Sequence, residues 1–129
     1  MESLNSFDAF KDITIDNKNY KYFDLNTIAT LYNFDLSKIP NSIKVILENL
    51  IRNEDGKSVT KEMIYNLCIK INSVKDNFEI SFSPTRVLMQ DFTGVPVVAD
   101  LAAMRDALKE KGIDPNKINP SSRVDLIID

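Results

Sequence analysis

The sequence predicts an α/β fold, with helices packed on a sheet and a strand-helix-strand unit at about 86–128. Three observations carry this. Alternating apolar and polar residues flank a polar turn near the start; apolar residues recur at helical spacing through the middle; and two compact apolar runs, Arg86–Gln90 and Val124–Ile128, bracket a helical stretch. The composition agrees, since 129 residues that are 43% hydrophobic and 27% charged make one ordinary domain with a core, or part of a larger one. No internal repeat or low-complexity linker interrupts the chain. It is read as one unit, residues 1–129, with a hairpin-bearing lead-in over about 1–25, a helical part over 26–77 and the strand-helix-strand unit over 78–129.

Each element has a local reason. Ile13 and Ile15 precede the polar stretch Asp16-Asn17-Lys18-Asn19, and Tyr20 and Tyr22 follow it, the pattern of a short hairpin. Asp24 or Asn26 caps a brief helix with Leu25, Ile28, Leu31 and Tyr32 as its apolar residues. Pro40 stands at the entrance of the next helix, where Ile43, Ile46, Leu47, Leu50 and Ile51 form an apolar stripe running to about Asn53. Asp55-Gly56 marks a turn. Thr60 caps a third helix, whose buried face carries Met63, Ile64, Leu67, Cys68 and Ile71. Phe78, Ile80 and Phe82 alternate as a short strand that Pro84 breaks. Arg86–Gln90 reads as a buried strand, and Gly94 and Pro96 turn the chain into a helix carrying Val97, Val98, Leu101, Met104 and Leu108. Gly112 closes that helix, Asp114-Pro115 stops it, and Val124–Ile128 is a second buried strand. Strand, helix and strand in this order make a βαβ unit with parallel strands.

Composition excludes many chemistries. The chain has no histidine, one cysteine and three glycines. It therefore holds no Ser-His-Asp triad, no HExxH metal site, no CxxC motif and no glycine-rich phosphate loop. Cys68 lies on an apolar helix stripe and reads as a small core residue. With 16 Lys+Arg against 19 Asp+Glu, the net charge of −3 argues against phosphate-backbone binding. The start, MESLNSFDAFKDITID, has acids where a signal peptide needs a basic region and an apolar run. No stretch reaches the ~18 apolar residues of a membrane span. The cytoplasm is the expected compartment.

In a βαβ unit, polar residues at the carboxyl ends of the parallel strands face the crevice where α/β proteins bind ligands. Here those residues are Gln90 and Asp91 after the first strand and Asp129 after the second. An amide both donates and accepts, which suits hydroxy acids and carboxylates, while a strand-end carboxylate orients or charges a partner group. The competing reading makes Gln90 and Asp91 supports of the Gly94 turn and Asp129 a solvated acid. Only 4 of the 16 basic residues are arginine. Of these, Arg86 is expected to brace the sheet entrance and Arg105 to pair with Asp100 or Asp106.

The run Pro84-Thr85-Arg86-Val87-Leu88-Met89-Gln90-Asp91-Phe92-Thr93-Gly94-Val95-Pro96, continued by DLAAMRDA, closely resembles the N-terminal part of an aconitase-type domain. The similar branch is the one shared by bacterial aconitase A and the iron regulatory proteins. IPNSIKVILENLIRNEDG resembles that branch upstream and GIDPNKINPSSRVDLIID downstream, so the likeness runs over about residues 10–129. Two departures touch packing and a turn: Lys70 and Ile71 stand where a tryptophan is usual, and Gly112-Ile113 where two glycines are usual. The resemblance implies an enzyme that isomerises citrate and isocitrate through cis-aconitate on a 4Fe-4S cluster held by three cysteines. It implies that Gln90 contacts substrate and that Asp129 is the aspartate of an Asp-His pair assisting at the substrate hydroxyl; no metal ligand falls in this chain. The cluster cysteines, the base serine and the substrate arginines would lie in the remainder of the aconitase chain. The segment alone is then an inactive piece without a bound cluster. Two alternatives accompany this reading, an RNA-binding regulator of the same branch, active as the apo full-length form, and a non-catalytic remnant of a decayed gene. No membrane role is implied.

Overall fold

A computed structural model describes residues 3–71 and 79–128. They form a mixed α/β structure divided into two compact units, one ending at Ser83 and the other beginning at Pro84.

In the first unit, β1 (Phe10–Ile15) and β2 (Lys18–Phe23) make an antiparallel hairpin with Phe10 opposite Phe23 and Ile15 opposite Lys18. Asp16 and Asn17 close it as a two-residue turn with positive φ at both (48° and 59°), the geometry that matches strand twist and that Asp and Asn tolerate. The expected polar turn is therefore tighter than the four-residue stretch that signalled it. Helix α1 (Leu25–Leu31) starts at Asp24, whose carboxylate accepts from Asn26 N and the Thr27 hydroxyl at 3.0 Å each. Asn33 (φ 53°) ends it, its N–H donating to Thr30 O while Phe34 N–H donates to Ala29 O. Helix α2 (Asn41–Arg52) follows Pro40, and α3 (Lys61–Lys70) is capped by the Thr60 hydroxyl, which accepts from Met63 N.

The stripes read from the sequence meet in one core of Phe7, Ala9, Ile28, Leu47, Leu50, Ile51, Val59, Ile64, Leu67 and Cys68. Of the strand expected at 78–82, the described residues 79–82 form none. Phe78 lies outside the described residues, and residues 79–84 take no strand conformation. Their backbone bonds to side chains instead of a ladder: Ser81 N–H donates to the Met63 sulfur, and Ser83 is held at both N–H and C=O by Asn49.

In the second unit, β3 (Arg86–Gln90) and β4 (Arg123–Ile127) pair in parallel, with Arg86 beside Arg123 and Gln90 beside Ile127. Helix α4 (Asp91–Glu110) crosses between them and packs on both. This is the expected βαβ unit, with two corrections. First, α4 starts at Asp91, directly after β3, and includes Gly94 and Pro96, which were read as its turn. Second, β3 and β4 are not buried strands, and Val97, Val98 and Met104 of α4 are exposed; Leu101 and Leu108 are half-buried. A two-stranded sheet with one helix covers only one face, so Leu88, on the opposite face of β3, is 64% exposed. The far end of α4 behaves as expected. Gly112 (φ 70°) closes it, its N–H donating to Lys109 O while Ile113 N–H donates to Leu108 O.

Candidate functional site

The candidate site is built on the carboxyl ends of β3 and β4. Parallel pairing in register aligns those ends, so Gln90 neighbours Ile127, two residues before Asp129. Asp129 itself lies outside the described residues. Gln90 is both the last residue of β3 and the N-cap of α4 (φ −84°, ψ 169°). Its Oε1 accepts from Phe92 N–H at 2.9 Å, and Asp91 Oδ1 accepts from the same N–H at 2.9 Å. The support reading of Gln90 and Asp91 thus holds for the helix start, not for a turn at Gly94. It does not exhaust Gln90. The cap engages the amide oxygen, and Nε2 donates to no group among the described residues.

Gly94 is buried in the first turns of α4 for a packing reason. A Cβ on it would lie 2.2 Å from Leu126 Cδ1 and 3.1 Å from Met89 Cβ. The glycine lets the helix rest on both strand ends, a role the sequence reading assigned to a turn. A glycine four residues after a strand end, in a segment otherwise able to be helical, is the signal that would have shown it.

The opposite end of the sheet is held by charge. Arg86 Nε donates to Asp125 Oδ2 on the neighbouring strand, and Arg123 adds a contact at 3.4 Å. The hydrogen bond from Arg86 holds the Asp125 carboxyl below its ordinary range. Arg86 therefore braces the strand entrance as expected. Arg105 does not pair with Asp100 or Asp106. Its guanidinium reaches forward to the Ile118 carbonyl (3.0 Å) and the Asn119 side chain, tying the loop before β4 to α4.

The ligand set of an iron-sulfur cluster does not fit these residues. Cys68 is 3% exposed inside the first unit's core, and burial pushes its thiol up to about 12. A protonated, enclosed thiol is neither a cluster ligand nor a nucleophile. No group of three or more His, Cys, Asp or Glu placed to hold a metal ion occurs among the described residues. A thiol-disulfide reagent at pH 8 is expected to leave Cys68 unmodified in the folded chain and to label it fully in denaturant. Labelling of the native chain at the rate of a free thiol would refute that placement. Among the described residues, no helix is long and apolar enough to cross a membrane.

Comparison with known proteins puts these residues in context. A model of the aconitase family (aconitate hydratase) matches residues 61–129. The chain is 48% identical over 129 residues to aconitate hydratase A of Pseudomonas aeruginosa and 50% identical over 129 residues to that of Bradyrhizobium diazoefficiens. Aconitate hydratase A of Rickettsia prowazekii is 44% identical over 132 residues. All of this chain is covered in each case, but only 14% of each relative. The chain thus spans about one seventh of the length of these relatives.

Proposed function

Since the chain belongs to the aconitase family, we propose that it is the segment of an aconitate hydratase that presents Gln90 to substrate during the isomerisation of citrate and isocitrate through cis-aconitate. The observation that carries this is the seat of Gln90 at the carboxyl end of a parallel strand, with its amide oxygen engaged by Phe92 N–H at 2.9 Å. That bond fixes the amide plane and leaves Nε2 as a donor. The three carboxylates of a hydroxy-tricarboxylate are acceptors only at neutral pH, which a fixed N–H donor matches. Donors set in place before substrate arrives lower the cost of binding and of aligning the reacting carbon. Asp129 is assigned the second contribution. A carboxylate just past β4 would orient and charge a partner group of the remaining chain that handles the proton at the substrate hydroxyl.

The family's 4Fe-4S cluster needs thiolates that this chain does not offer, so its ligands are assigned to the rest of the enzyme. The segment by itself is proposed to be inactive, to reside in the cytoplasm, and to act only with the remainder of an aconitase chain.

The test is a graft. This chain replaces the corresponding segment of the full-length Pseudomonas aeruginosa enzyme, and conversion of isocitrate to cis-aconitate is followed. The graft is expected to be active, and the free 129-residue chain inactive with or without added iron and sulfide. Within the graft, Q90A is expected to lower kcat/KM by roughly 10²-fold, the scale of one lost positioned donor. An active free chain, or an unchanged kcat/KM in Q90A, would sink the proposal.

A further inference from the structure

The junction between β3 and α4 contains no loop: Gln90 ends the strand and Asp91 begins the helix. Any change in how α4 rests on the sheet therefore falls on Gln90 directly, with no intervening residue to absorb it. The closest point of that packing is Gly94, one turn beyond Gln90. The position its side chain would take is occupied from β4 by Leu126 Cδ1, 2.2 Å away, and from β3 by Met89 Cβ, 3.1 Å away. The two neighbours differ in kind. Leu126 Cδ1 is the tip of a flexible side chain and can rotate, whereas Met89 Cβ is fixed to the strand backbone and moves only with it. Met89 is also the residue before Gln90.

We infer that Gly94 and Met89 are a positioning pair: the missing side chain of one and the Cβ of the other set the height of the first turn of α4 on β3, and so the direction of the Gln90 amide, while Leu126 adds packing. Neither touches substrate. The inference rests on the reading of Gln90 as a substrate contact, and it adds the residues that aim that contact. A methyl on Gly94 lifts the helix from Met89 and turns the capping amide with it. Truncating Leu126 removes packing but leaves the helix seated, because Met89 and the bare Gly94 still meet.

The experiment compares G94A, L126A and G94A/L126A in the whole chain, isotopically labelled, each studied by NMR at a temperature where it is fully folded. The readouts are the Gln90 Nε2H₂ signals and the Phe92 amide, with thermal melting measured in parallel. Expected are three results: G94A moves both Gln90 and Phe92 signals from their wild-type positions; L126A lowers the melting temperature but leaves those signals in place; and G94A/L126A keeps the G94A displacement, because Met89 is still there, while melting no higher than L126A. A purely structural role would make the signals follow the melting temperature instead. Unmoved signals in G94A, displacement by L126A as large as by G94A, or a return to wild-type positions in the double variant would each overturn the inference. No substrate enters this measurement, so its outcome is separate from that of the Q90A graft. If the graft fails while these shifts behave as stated, the aiming of Gln90 stands and its assignment to substrate falls.

Discussion

Replacing Leu50 by alanine is expected to destabilise the first unit by about 3 kcal/mol, within the ~2–5 kcal/mol range for truncating a buried leucine. Leu50 is fully buried on α2 and belongs to the cluster with Ile28, Leu47, Ile51, Ile64 and Leu67. These residues come from three helices, so collapse around the lost side chain would require more than one of them to move. Part of the cost is transfer of the missing carbons out of the core, and the rest is the cavity left among neighbours that cannot all follow. A domain with a total stability of roughly 5–15 kcal/mol loses a large share of it through this one change. The control lies on the same helix. Val45 is 59% exposed, so V45A should stay within about 0.5 kcal/mol of wild type, helped by the better helix propensity of alanine. Urea unfolding of both variants checks the pair. A loss under about 1 kcal/mol in L50A, or equal losses in both, would show that the core is not where the structure puts it.

The same cluster shows which parts of the fold were legible from the sequence. Ile43, Ile46, Leu47, Leu50 and Ile51 recur at the period of a helix, and full burial falls on the last three, Leu47, Leu50 and Ile51. The Thr60 cap, the Asp16-Asn17 hairpin turn and the Gly112 stop were equally readable, because each is a local device whose chemistry acts within a few residues. The misreadings share a different cause. Gly94 and Pro96 look like breakers when only neighbours in sequence are considered. In the structure, Gly94 is required by Leu126, 32 positions away in the chain, and Pro96 removes only the N–H that would have bonded Phe92 O, on a residue 84% exposed. The expected burial of Val97, Val98, Met104 and Leu88 fails for a related reason. Apolar residues report a tendency to be covered, and one helix on two strands covers only the positions between them.

The candidate site was legible in proportion. The strand end that carries Gln90 followed from the run Arg86–Gln90 and the parallel pairing, which the register shows. That Gln90 would cap a helix was not readable, because glutamine is an uncommon N-cap and the helix was expected to begin later. Placement of Asp129 stays a matter of the resemblance, since that residue is outside the described part. What the structure adds to Gln90 is polarity: its oxygen is engaged at 2.9 Å by Phe92 N–H, and its nitrogen donates to no group among the described residues.

Asn49 is the residue whose importance the sequence hid most completely. It lies between Glu48 and Leu50 on α2, outside the apolar stripe of Ile43, Ile46, Leu47, Leu50 and Ile51. In the structure it is 2% exposed, its Nδ2 donates to Ser83 O at 2.7 Å, and its Oδ1 accepts from Ser83 N at 3.0 Å. One amide thus satisfies both backbone groups of a residue 34 positions away, as a neighbouring strand would, in a stretch without a strand partner. N49A removes both bonds and leaves a small void. Because Ser83 is itself exposed, its freed N–H and C=O reach water, and the expected loss is about 1–3 kcal/mol rather than the larger cost of orphaned buried groups. The loss should also be local. Hydrogen exchange at the Ser83 amide is expected to rise toward the rate of an unstructured peptide, while Leu47, Leu50 and Ile51 on α2 keep their protection. N49D separates the two bonds, since a carboxylate still accepts from Ser83 N–H but cannot donate to Ser83 O. It should therefore retain more protection at Ser83 than N49A while still losing stability. Uniform loss of protection across α2 in N49A, or an unchanged Ser83 amide, would mean that Asn49 acts as core filling and not as the tether that fixes residue 83.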